Sequence, residues 1–153
     1  MTIRRATNQD ADAVRKLVFD VLRAYGLKPD PAATDRDLED IEKNYFQNRG
    51  SFSVLEGPGG ELIGSYGLLN ITSDSCELRK MYLHPDFRGK GYGKMLLEHA
   101  LLTAKNLGYE RVTLETASVL QEAIALYKKY GFEPYTAEHL SPRCDQAYRK
   151  ILN

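Results

Sequence analysis

The chain has no tryptophan, no surplus of either charge and only two cysteines, and each shortage removes a class of protein. Its 21 basic residues are matched by 21 acidic ones, so no global field draws it to nucleic acid or to an anionic membrane. Cys76 and Cys144 form no CxxC pair and have no His/Cys spacing suited to zinc, so no metal site is expected. Both read as free thiols of a reducing compartment. No apolar run approaches the roughly 18–20 residues of a membrane span. The opening MTIRRATNQDADAV lacks the apolar core of a secretory signal. A cytoplasmic protein with neither nucleic acid nor membrane as partner is the expectation.

What is present is an ordinary globular composition, 42% hydrophobic and 27% charged, in 153 residues that suffice for one domain spanning 1–153. TIRRA alternates as a short strand. A helix is expected from about Asp10 to Tyr25, with Ala13, Val14, Leu17, Val18, Val21 and Leu22 on one apolar face. A second helix is expected from Thr34, where Thr34 and Asp37 resemble a capping box and Leu38, Ile41, Tyr45 and Phe46 turn inward. Its acids Asp35, Asp37, Glu39, Asp40 and Glu42 read as first-turn charges or a wet face, with attraction of a cationic substrate as the alternative. Ser51–Glu56 and Leu62–Asn70 flank a GPGG turn as a hairpin, and ELRKMYL follows as another strand. A long helix after residue 91, the strand RVTLET, a helix Leu120–Tyr130 and short strands near Glu133–Tyr135 and Gln146–Ile151 complete the order. This is an α+β fold, a mostly antiparallel sheet flanked by helices with one parallel crossover.

The stretch HPDFRGKGYGKM places glycines at 89, 91 and 93 between a strand and a helix start. First-turn amides lack internal partners and the helix dipole adds about half a positive charge, so such a loop favours a phosphate. A Walker A reading fails because Met95 follows Gly93-Lys94 and Arg88 stands where the first glycine belongs. A GxGxxG reading fails because Lys94 takes the last glycine's place.

The run R-x-x-G-x-G, Arg88 through Gly93, resembles the acyl-CoA diphosphate loop of the GCN5-related N-acetyltransferases. ELRKMYL stands where that family lays pantetheine along a strand edge, and EAIALYKKYGF is similar to its A-x-x-L-Y-x-x-x-G-F helix. The element order agrees over essentially the whole chain. The resemblance implies the acyl-CoA N-acyltransferase fold and acetyl-CoA as co-substrate. It implies transfer to a primary amine of a small molecule or peptide by direct attack in a ternary complex. Contacts to the cofactor would come from Met81 and Leu83 main chain and from Arg88, Gly89, Lys90, Gly91, Tyr92, Gly93 and Lys94. Dimers are common in the family, which makes a homodimer an expectation. The alternative is a non-catalytic acyl-CoA-binding or sensor module of the same fold.

By the same resemblance Tyr127 is the general acid and Glu77, eleven residues before Arg88, the general base, acting directly or through water. A lysine-like amine is neutral in only about one molecule in 2,500 at pH 7, which is why a base helps. Read from the residues alone, Tyr127 also fits an apolar stripe with Leu120, Ala123 and Ile124, and Glu77 also fits a strand glutamate paired with Arg79. Arg79 and Lys80 read as solvated charges, and His84, His99 and His139 show no catalytic spacing. Where many members carry asparagine, seven residues before the helix tyrosine, this chain has Leu120, with Ser118 and Gln121 as stand-ins. Cys144 reads as a small buried apolar residue near the acceptor pocket.

Overall fold

The computed structural model describes residues 1–153. One seven-stranded sheet runs through it in the order β1-β2-β3-β4-β5-β7-β6. The strands are β1 (Thr2–Arg5), β2 (Ser51–Glu56), β3 (Leu62–Asn70), β4 (Ser75–Leu83), β5 (Arg111–Thr116), β6 (Glu133–Pro134) and β7 (Gln146–Ile151). Every neighbouring pair is antiparallel except β4 and β5. The helices are α1 (Ala11–Ala24), α2 (Ile41–Asn44), α3 (Tyr92–Asn106) and α4 (Gln121–Lys129). None is long and apolar enough to cross a membrane.

Alternation along the strands divides the core between the two faces of the sheet. Leu55, Cys76, Leu78, Val112 and Leu114 pack with Leu96, Leu97, Ala100 and Ala104 of α3 and with Tyr127 of α4. On the other face Phe52 and Val54 meet Val14, Val18 and Leu22 of α1 together with Leu38, Ile41 and Tyr45. Each such buried aliphatic or aromatic side chain contributes about 1.5–3 kcal/mol. The Tyr45 and Phe52 rings meet edge to face with centroids 5.0 Å apart. Gly67 makes room for them, because a Cβ there would lie 2.8 Å from both rings.

One apolar position shifts from expectation: Ala11, not Ala13, is buried on α1. The Cys76 and Cys144 thiols are unlinked.

The expected helix from Thr34 is broken into a 3-10 turn (Arg36–Glu39), the single turn α2 and a second 3-10 turn (Phe46–Asn48). The cause lies across the sheet. The Thr34 carbonyl accepts from Arg79 at 2.9 Å and from Lys80 at 3.2 Å, so it cannot serve a helical amide. Leu38 N–H bonds Asp35 O instead, a tighter 3-10 closure. Thr34 and Asp37 form no capping box; the Thr34 hydroxyl donates to Asp30. A capping box does form at Thr7 and Asp10, ahead of α1.

Candidate active site

Between β4 and α3 the chain makes a short 3-10 turn, Pro85–Phe87, capped by His84, whose Nδ1 accepts from Asp86 N–H at 3.1 Å. Gly89 and Gly91 then take φ of +75° and +86°, the left-handed region that costs other residues about 1–2 kcal/mol. A Cβ at either would meet nothing within 4 Å, so the space in front of this backbone is open. Amides from Gly89 to Lys94 donate to no protein acceptor, and the first bond of α3 is Met95 N–H to Gly91 O at 3.1 Å. This run of free donors at a helix start could hold a diphosphate. The Arg88 guanidinium stacks 4.5 Å over the Tyr25 ring, beside the loop.

β4 supplies the next element. Its parallel pairing with β5 covers only Ser75–Glu77, after which the two strands have no paired residues. Opposite β3, Lys80 and Met81 share the place facing Tyr66, a bulge between the pairs Gly67–Arg79 and Ser65–Tyr82. Lys80 takes φ of +53°, and the Ser65 hydroxyl pins its carbonyl at 2.7 Å. Beyond Glu77 this edge of β4 has no strand partner and is open to an extended ligand.

A cleft of about 700 Å³ follows this opening. It gathers Met81, Leu83, Arg88, Gly89, Gly91, Gly93, Lys94, Tyr127 and Glu77 on one surface. Lys90 and Tyr92 contribute main chain to the loop but no lining: the Lys90 ammonium lies 5.7 Å over Phe87, and the Tyr92 ring packs 6.4 Å from it. Tyr127 is 6% exposed, and its hydroxyl has no protein hydrogen-bond partner. Burial raises its pKa, with Tyr82 and Cys144 as polar neighbours, so it stays protonated across the neutral range. Burial also raises the Glu77 carboxyl above its ordinary value, and Glu115 adds to this by like charge while Arg79 opposes it. Arg79 Nε is 3.3 Å from Glu77 Oε1.

At the far end the cleft is walled by an ion network that local sequence reading misses. Lys80, its side chain 3% exposed, holds Nζ 3.2 Å from both Asp35 Oδ1 and Asp37 Oδ1. Arg143 grips Asp35 through two bonds of 2.8 and 2.6 Å. Tyr45 donates its hydroxyl to Asp37. Arg79 and Lys80 are therefore not solvated, and Asp35 and Asp37 belong to no wet face. Only the rest of that acidic run behaves as expected: Glu39 is exposed, Asp40 caps Lys43 N–H, and Glu42 accepts from Asn8 N–H. Burial works against the charged form of Asp35, but Arg143, the Asp30 amide and Lys80 together hold its pKa below the usual range.

The region replacing the family asparagine is also resolved. Leu120 lines the cleft, whereas the Ser118 hydroxyl is taken by Asp145 at 2.8 Å and Gln121 is exposed away from the lining. Glu115, absent from the sequence-based candidates, lines the cleft beyond Glu77 and accepts from Ser141 N–H at 2.8 Å. Alternation in RVTLET, which puts Glu115 on the face of Thr113, was the available signal. His99 bonds the Tyr66 hydroxyl at 2.7 Å and lies outside the cleft lining.

The free amide run, the open β4 edge and a buried tyrosine beside them define an acyl-CoA-dependent transferase fold. The model of the acetyltransferase (GNAT) family matches residues 15–132, and the chain belongs to that family. It is an N-acetyltransferase with acetyl-CoA as co-substrate. An uncharacterized N-acetyltransferase of Escherichia coli K12 is 40% identical over 136 residues, covering 86% of this chain and 81% of its own. A GNAT acetyltransferase structure from Staphylococcus aureus Mu50 superposes with a TM-score of 0.92 at 21% identity, covering 99% of each chain. A spermidine N-acetyltransferase of Vibrio cholerae, solved with CoA and spermine, gives 0.73 at 20% identity over 99% of this chain and 95% of its own. These two likenesses speak to the fold.

Proposed function

We propose that the chain moves the acetyl group of acetyl-CoA to a primary amine by direct attack in a ternary complex. The observation that carries this is the gathering of four elements on one cleft: the free amides 89–94, the open β4 edge, Tyr127 and Glu77. The amides of Gly89–Lys94 bind the diphosphate, and Met81 and Leu83 main chain lines up the pantetheine arm. Glu77 accepts the proton of the incoming ammonium, directly or through one water, and its raised pKa improves it as a base. A main-chain N–H of the β4 edge holds the oxyanion that develops as nitrogen adds to the thioester carbonyl. The C–S bond then breaks, and Tyr127 gives its proton to the departing thiolate. The nitrogen's second surplus proton passes through water to the Tyr127 phenolate, and Glu77 sheds its own proton to solvent after release.

Tyr127→Phe tests this assignment. Turnover should fall about tenfold to a hundredfold while acetyl-CoA affinity is held, since only the proton donor is lost. An unchanged rate would return Tyr127 to a packing role. Tight acetyl-CoA binding by the natural chain with no turnover on any amine would instead favour the sensor alternative.

A further inference from the structure

The acceptor end of the cleft is unbalanced in charge. Three cations stand there, and each is already matched. Lys80 spends its ammonium on Asp35, Asp37 and the Thr34 carbonyl. Arg143 spends both terminal nitrogens on Asp35. Arg79 sets Nε against Glu77 and one terminal nitrogen against Thr34 O. Four carboxylates meet those three cations, and the one left over is Glu115, which joins no ion pair and accepts a single main-chain hydrogen bond. Glu115 faces Arg79 only at longer range, so the cleft keeps a place beside it for a ligand's positive charge.

Apolar side chains line the same cleft. Leu69 lies directly across the ladder from Glu77, and Ile71 and Leu140 line the same cleft while remaining 50% and 38% exposed. The Tyr127 hydroxyl, on a side chain 6% exposed, also opens on this cleft with no protein partner, a further sign that a ligand fills it.

We propose that the acceptor is a primary alkylammonium with no carboxylate beside its nitrogen, held through its charge by Glu115 and through its alkyl arm by Leu69, Ile71 and Leu140. Glu115 is then the specificity-determining residue, one strand over from Glu77, which takes the proton. An α-amino acid is disfavoured because its carboxylate finds Arg79, Lys80 and Arg143 already engaged and meets Glu115 instead. The inference rests on the N-acetyltransferase reading above and narrows its substrate to one class.

The experiment compares n-pentylamine with norleucine, which is the same amine carrying a carboxylate on its first carbon, at saturating acetyl-CoA. Nα-acetyl-lysine amide serves as a third acceptor, and acceptance of it as well as pentylamine shows that the site also takes a lysine side chain. The expected result is a kcat/KM for pentylamine at least about tenfold above that for norleucine. Glu115→Gln should raise the pentylamine KM about tenfold, leave kcat and acetyl-CoA affinity in place, and shrink the preference over norleucine. Glutamine keeps an oxygen for Ser141 N–H, and a thermal melt checks that the fold is intact; if the variant does not fold, the natural chain's preference between the two acceptors decides alone. Equal or better use of norleucine, or an unmoved pentylamine KM in a folded Glu115→Gln protein, overturns the inference and leaves the transferase reading standing. No turnover of any of the three with acetyl-CoA bound overturns both.

Discussion

The two ends of the cleft are built on opposite plans. At the loop before α3 recognition is offered by backbone: free amides, left-handed glycines and a helix start within six consecutive residues, 89–94. At the acceptor end it is offered by side chains brought together over long separations, 45 residues for Arg79 to Thr34 and 108 for Arg143 to Asp35. The first plan fixes a common ligand part with little help from side-chain identity. The second can be rewritten one residue at a time, which suits the end that we propose meets the variable substrate.

This difference also decides what the sequence revealed. Gly89 and Gly91 were legible because their requirement is local, a φ above zero and an unobstructed amide. The strands, α3 and α4 were legible from periodicity. The helix after Thr34 was not, since the carbonyl that would have nucleated it is claimed by Arg79 and Lys80 from another strand. Nor could spacing tell that Lys80, in a run of charges, would enter the left-handed region at a bulge and turn inward. Buried ion networks are assembled by topology, so a single sequence displays their members as surface charges.

The contrast can be broken at each end, and the largest effect belongs to the network. Asp35→Asn should destabilise the fold by about 3–5 kcal/mol, because Arg143 would keep a buried charge without its counter-ion and Lys80 would be left with Asp37 alone. Urea denaturation measures it; a change under about 1 kcal/mol would place the network among solvated pairs. The same linkage has a sign. The Asp35 pKa is depressed in the fold, so its contribution is complete above the unfolded value near 3.9 and drains away as pH falls through the lower folded value.

A smaller effect is expected at Glu77. The acid limb of kcat/KM should lie above the ordinary glutamate range, since burial raises this group. Glu77→Gln should lower kcat/KM by about a hundredfold and remove that limb, leaving only the rise from deprotonation of free amine. An unaltered pH profile would assign proton removal to water held elsewhere in the cleft.

The central claim is that exposed amides between Arg88 and Lys94, more than their side chains, hold acetyl-CoA. Calorimetric titration of acetyl-CoA into Gly91→Glu and Lys94→Ala, each verified as folded by its melt, tests it most directly. The account predicts that Gly91→Glu abolishes association, through bulk and negative charge at the open face of the loop, while Lys94→Ala weakens it only about threefold to tenfold. Full acetyl-CoA affinity in Gly91→Glu would contradict it.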